Sequence, residues 1–187
     1  MPQLRASFAR HRMPTILAAG VFSLSSTVLA APPDFIEVEA GRGQKVNVLG
    51  VAAGGNTAWQ GHAIGLEWNL KWQARLQHWQ ADSELGGQKS LNLVGFTPVL
   101  RATRGPERDA HFFVDVGAGV NLLSAHQIGN RQLSTNFQFG EYLGVGYVFG
   151  AQQRYELALR AQHVSNAGIE KPNQGLSYAS VDLRYRF

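Results

Sequence analysis

The chain has 187 residues, 44% of them hydrophobic and 16% charged, which is enough apolar material for one folded domain and argues against intrinsic disorder. It contains no cysteine, which excludes a disulfide scaffold, a thiolate metal site and a cysteine nucleophile together. The formal charge is +4, but Arg5, Arg10 and Arg12 lie in a segment expected to be removed, and without them the balance falls to about +1, too little to suggest a nucleic-acid partner.

Those three arginines precede an apolar run from Pro14 to Leu29 that closes on Val28-Leu29-Ala30. A basic start, a short apolar stretch and a small-residue end form a signal peptide pattern, so residues 1–30 are expected to be cleaved and residues 31–187 to form the mature domain. No later segment has the roughly 18 apolar residues in a row that a spanning helix needs.

The remainder alternates with period two, the signature of strands with two different faces. Strands are predicted at 34–41, 44–53, 63–80, 90–103, 111–123, 136–149, 154–165 and 176–187. Turn chemistry separates them at Gly41-Arg42-Gly43, Gly54-Gly55-Asn56, Gly86-Gly87, Gly105-Pro106, Gly129-Asn130 and Pro172-Asn173. Leu66, Trp68, Leu70, Trp72, Ala74 and Leu76 share one face of the third strand, against Glu67, Asn69, Lys71, Gln73, Arg75 and Gln77 on the other. In the last strand Ala179, Val181, Leu183, Tyr185 and Phe187 oppose Asp182, Arg184 and Arg186.

Two all-β architectures fit this pattern. In a soluble lipocalin-like barrel or sandwich the apolar face lines the core, whereas in a transmembrane barrel it meets lipid. The leader, the terminal Phe187, and the placing of Trp59, Trp79, Tyr147, Tyr155 and Tyr178 towards strand ends favour an eight-stranded antiparallel transmembrane β-barrel of the bacterial outer membrane. The inward charges Glu67, Lys71, Arg75, Asp115, Glu156, Arg160, Asp182 and Arg184 are then expected to pair inside it. Eight strands leave a lumen that side chains fill, so function is expected on the outside or in the loops.

With an even strand number both chain ends face the periplasm, and the loop from Asn166 to Gly175 is extracellular. Continuing the stripe Tyr155, Leu157, Leu159, Ala161 by twos reaches His163 and Ser165, which places an imidazole and a hydroxyl on the face that meets lipid. Hydrocarbon offers such groups no hydrogen-bond partner, so they need a purpose. One is chemistry, with the histidine taking the serine proton as the hydroxyl attacks an ester; the other is plain contact with head groups. His62, His78, His111 and His126 lack paired metal-ligand spacing, and the glycine-rich run from Gly144 to Gly150 has the wrong spacing for a dinucleotide loop.

The contiguous run from His163 to Gly175, of the form H-x-S-N-A-G followed by P-N-x-G, resembles the signature of the PagL family of outer-membrane lipid A 3-O-deacylases, which are eight-stranded barrels. The resemblance implies a serine esterase that removes the 3-hydroxyacyl chain from position 3 of lipid A without a cofactor. It implies Ser165 as nucleophile, His163 as general base, and Asn166, Ala167 and Gly168 as the segment facing the oxyanion. The family's third catalytic member is a glutamate fourteen residues after the histidine, where this chain has Ser177. Ser177 shares the outward parity and is expected to orient the imidazole, with Glu170 the nearest acid in sequence and Asp182 facing inward. Arg131 and Lys171, both in extracellular loops by this topology, are expected to contact the anionic phosphates of lipopolysaccharide. The partners expected are lipid A and outer-membrane lipids, with the barrel a monomer or homodimer; a non-enzymatic structural or adhesive barrel is the alternative.

Overall fold

The computed structural model describes residues 32–109 and 111–187. The predicted leader, residues 1–30, lies outside them. Eight strands close into an antiparallel barrel: β1 (Phe35–Gly43), β2 (Val46–Ala63), β3 (Leu66–Ala81), β4 (Ser90–Thr103), β5 (Phe112–Leu123), β8 (Phe137–Phe149), β9 (Tyr155–Ser165) and β10 (Leu176–Arg186). Between β5 and β8 a two-stranded hairpin, β6 (Gln127–Ile128) and β7 (Arg131–Gln132), forms a separate small sheet. The sheet closes where β1 pairs with β10, Phe35 opposite Arg186, and Phe187 N–H donates to Asp34 C=O at 3.0 Å. The strand closure brings residues 34 and 187 to one end, opposite the loop 166–175.

Side-chain direction decides between the two all-β architectures. The apolar stripes point out: Leu159 is 60% exposed, and Ile36, Val51, Leu76, Val94, Val116, Leu143 and Val181 are exposed with it. The polar stripes point in: Arg101, Glu156, Arg160 and Asp182 are buried. An apolar exterior around a charged interior is a barrel built for lipid, since water would leave that whole surface unsatisfied.

The lumen is filled in layers. Near the chain ends Arg101 holds Asp115 through two bonds (2.7 and 2.8 Å) and Glu156 through two more (2.9 Å each), with its guanidinium 3.6 Å above the Phe113 ring. Lys71 Nζ donates to Glu107, which sits in a 3-10 turn after β4, at 2.6 Å. Burial alone would raise the Glu107 carboxyl, but the Lys71 and Arg101 cations hold it below its ordinary value. In the middle Glu37 receives Arg160 and Arg184, and the Asp182 carboxylate lies 3.2 Å from Arg160 Nε. Above them Glu39 accepts from Gln77 and Gln162. The layer nearest the loops is apolar, built from Val46, Val48, Trp79, Leu91, Leu93, Leu176 and others and roofed by Ile128 of the β6–β7 hairpin and Leu133 just after it.

Several expectations need correction. Gly54-Gly55-Asn56 is not a turn: β2 runs on to Ala63 with a register shift between Asn56 and Gln60, and the chain reverses at Ile64-Gly65. A side chain at Gly54 would sit 2.1 Å from Trp72 C=O and 2.4 Å from the Phe35 ring, so that glycine serves close strand packing. The first turn falls at Gln44-Lys45, both with positive φ, so Gly41 to Gly43 belong to β1. Trp79 and Tyr178 are buried inside the barrel, edge to face at 6.0 Å, and not in an aromatic belt; Tyr147 and Tyr155 do point outward, with Phe112, Phe149 and Tyr185 beside them. Glu67 is partly exposed and pairs with His62 at 2.9 Å at the end of the barrel, outside the interior network.

Replacing Arg101 by Met would strand Asp115 and half-strand Glu156 in a sealed lumen. Arg101→Met is expected to lower the unfolding free energy of the detergent-folded barrel by about 3 kcal/mol or more, read as a fall in the urea midpoint of its heat-modifiable gel band.

Candidate active site

His163 and Ser165 end β9 on its outward stripe, each half-buried, because period two carries the Tyr155–Ala161 face on to them. Their cross-strand partners are defined by register. His163 lies opposite Ser177 of β10 on one side and Glu141 of β8 on the other, and Ser165 lies opposite Phe139. Both neighbouring strands contribute outward side chains, so the site is a patch on the barrel wall. A cavity of about 650 Å³ lined by residues such as Val38, Val51, Leu76 and Leu183 touches neither His163 nor Ser165.

The His163 ring is held from two directions. Its Nδ1 and Ser177 Oγ are 2.7 Å apart. Ser177 is fixed in turn, its N–H donating to Gln44 Oε1 at 3.0 Å. Gly175, buried at φ +56°, packs against the ring: a Cβ there would come within 2.9 Å of His163 Cε1 and 3.1 Å of Nε2. Only glycine leaves the imidazole in place. No hydrogen bond joins Ser165 to His163 among the described residues; such bonds are commonly loose before substrate arrives.

The loop after Ser165 is organised around a fully buried Asn166. Its Nδ2 donates to Leu133 C=O (3.0 Å) and Glu170 C=O (2.8 Å), its Oδ1 accepts the Gly168 N–H (2.8 Å), and its own N–H donates to Asn173 Oδ1 at 3.2 Å. Asn166 and the Gly168 N–H thus spend these hydrogen bonds within the loop. Ala167, at φ +53°, is the member of that trio whose N–H has no acceptor among the described residues.

The β6–β7 hairpin latches onto the same loop. Gln132 N–H donates to Gln174 Oε1 at 2.6 Å, Gln174 N–H to Gln132 C=O at 3.2 Å, and Ser134 Oγ to Pro172 C=O at 2.6 Å. Arg131 donates through Nη1 to the carbonyls of Gln174 (3.2 Å) and Gly175 (3.1 Å), so it supports the residue under the imidazole. Lys171 stays exposed in the loop. Glu170 is exposed and makes no ion pair with His163, so it does not stand in for a carboxylate at 177; Asp182 is buried in the lumen as its parity required. Sequence reading passed over Glu141 and Gln44. Glu141 was detectable as the one acid interrupting the stripe Phe137, Phe139, Leu143, Val145, whereas nothing in the sequence pairs Gln44 with Ser177.

Asn166→Ala deletes three side-chain hydrogen bonds of the loop and leaves the barrel strands untouched. Hydrogen exchange at the Gly168 amide is expected to speed up by about tenfold or more, with the β9 and β10 amides unchanged.

Residues 48–186 match the family model described as lipid A 3-O-deacylase (PagL). The chain is 31% identical over 137 residues to the lipid A deacylase PagL of Bordetella bronchiseptica, covering 70% of this chain and 71% of that one. It is 30% identical over 110 residues to the lipid A deacylase PagL of Pseudomonas aeruginosa, covering 59% and 60%. Its fold matches the crystal structure of the outer membrane enzyme PagL with a TM-score of 0.71 at 20% identity, over 82% of this chain and 99% of that one. An outward-facing histidine and serine on an eight-stranded barrel, together with these matches, lead to one conclusion: the chain belongs to the PagL family of outer-membrane lipid A 3-O-deacylases.

Proposed function

We propose that this outer-membrane hydrolase cleaves the ester-linked 3-hydroxyacyl chain at position 3 of lipid A with Ser165 as nucleophile and His163 as general base. The observation that carries the reading is the outward His163, its Nδ1 held by Ser177 Oγ at 2.7 Å, two residues before the outward Ser165. With the proton on Nδ1 donated to Ser177, Nε2 keeps a lone pair for the Ser165 hydroxyl.

The Ser165 proton moves to His163 Nε2 as Oγ bonds to the ester carbonyl carbon. The negative charge that develops on the carbonyl oxygen is met by the Ala167 N–H, which Asn166 and Gly168 hold in a left-handed turn. The bond between that carbon and the sugar oxygen then breaks, and the imidazolium returns its proton to the sugar. Water, deprotonated by His163, hydrolyses the acyl-serine and releases the hydroxy fatty acid. A wall site suits a substrate already in the membrane: the acyl chain lies along the apolar face beside Phe139, opposite Ser165, while Lys171 in the loop stands on the head-group side.

Ser177 orients the ring without a charge, so it stabilises the imidazolium less than a carboxylate would. Mass spectrometry of lipid A incubated with the refolded barrel is expected to show loss of one 3-hydroxyacyl chain. Ser165→Ala is expected to abolish that loss, by about a thousandfold or more in rate, without altering folding. Ser177→Glu is expected to raise kcat, at most about tenfold, measured in the same assay.

A further inference from the structure

Among the described residues, Glu141 is the only aspartate or glutamate on the outward stripes of the barrel strands, and its carboxylate has neither ion pair nor hydrogen bond there. An ionised carboxylate facing lipid is costly, so it calls for a partner. The residue directly opposite it on β9 is His163. Directly opposed side chains on one sheet face have Cβ atoms about 4.5–5.5 Å apart, which puts a glutamate carboxylate within Coulombic range of an imidazole. On its other flank, β10, His163 meets only the neutral Ser177.

We infer that Glu141 is a positioning residue of the deacylation, the counter-charge that stabilises the His163 imidazolium from β8 where β10 offers only a hydroxyl. The inference rests on the Ser165–His163 reading above. When the Ser165 proton reaches Nε2, positive charge appears on a ring bordered by lipid on one side, where screening is weak and an opposite charge is worth more than in water. Ser177 and Gly175 hold the ring's orientation; Glu141 supplies the field. The charged groups around His163 are few: Glu141 from β8, nothing titratable from β10 at Ser177, Ala161 and Ser165 on its own stripe, and Arg131, which reaches only the Gly175 carbonyl beside it.

The test compares kcat and KM of the refolded protein and its Ser165→Ala, Glu141→Gln, Ser177→Glu and Glu141→Gln/Ser177→Glu variants on lipid A in detergent, folding being checked by heat-modifiable gel mobility. Glu141→Gln is expected to lower kcat about tenfold or more with KM unchanged, because the imidazolium formed on the way to the transition state loses its counter-charge. Ser177→Glu is expected to raise kcat more in the Glu141→Gln background than in the unmutated protein, since either carboxylate serves the same ring. An unchanged kcat in Glu141→Gln, with Ser165→Ala inactive, overturns the inference and leaves the nucleophile reading standing. A fall in kcat with no greater gain from Ser177→Glu in the Glu141→Gln background than in the unmutated protein also overturns it. Hydrolysis that survives Ser165→Ala overturns the reading itself, and the inference with it.

Discussion

The constraint on which everything else rests is that a backbone in hydrocarbon has no water to satisfy it. Strands that enter a membrane must therefore pair on both edges, and the sheet must close on itself, as β1 and β10 do here. Closure with only eight strands produces a narrow lumen, which side chains of the chain itself fill. The inward stripes supply arginines and carboxylates in matched layers, with Arg101, Arg160 and Arg184 each shared between acids. A guanidinium with five fixed donors suits this role better than an ammonium, because it bridges two carboxylates in one plane.

Filling the lumen forces function outward. Any polar chemistry must then be built on a face that otherwise repels polar groups, from residues whose hydrogen bonds are supplied sideways across the sheet. Three neighbouring strands place Glu141, His163 and Ser177 at the same register, one polar side chain each; Ser177 bonds His163 across the sheet, and Gln44 ties Ser177 down. The extracellular loops complete the row from above. Asn166 and the β6–β7 hairpin bind the loop after Ser165 tightly enough to hold Ala167 and Gly175 in left-handed conformations, one with its amide free and the other beneath the imidazole. The stiffness of the site thus derives from the loops and the register of the strands; a concave pocket contributes nothing to it.

The period-two pattern carried most of the fold in plain view. It located the barrel strands from β3 onward, though not the small β6–β7 hairpin, and with them the sidedness of each stripe and the anomaly of His163 and Ser165. Where it failed, a second use of the same residue type was responsible. Gly54 and Gly55 look like a turn, yet they let β2 pass close to Trp72 and Phe35; Trp79 and Tyr178 look like an interface belt, yet they fill the upper lumen. Local composition does not distinguish a glycine needed for turning from one needed for contact.

By itself, then, the sequence determined which residues face lipid and which face the lumen, because alternation along a strand is a local property with one physical meaning. The HVSNAGIEKPNQG run likewise carried the resemblance to the family, since its residues are consecutive. The tertiary structure alone decided what stands beside what across strands far apart in the chain: Glu141 and Ser177 on the two flanks of His163, Arg131 under Gly175, Leu133 over Asn166. Those neighbours are set by the closure register of the barrel, which depends on all eight strands at once and is written in no single one of them.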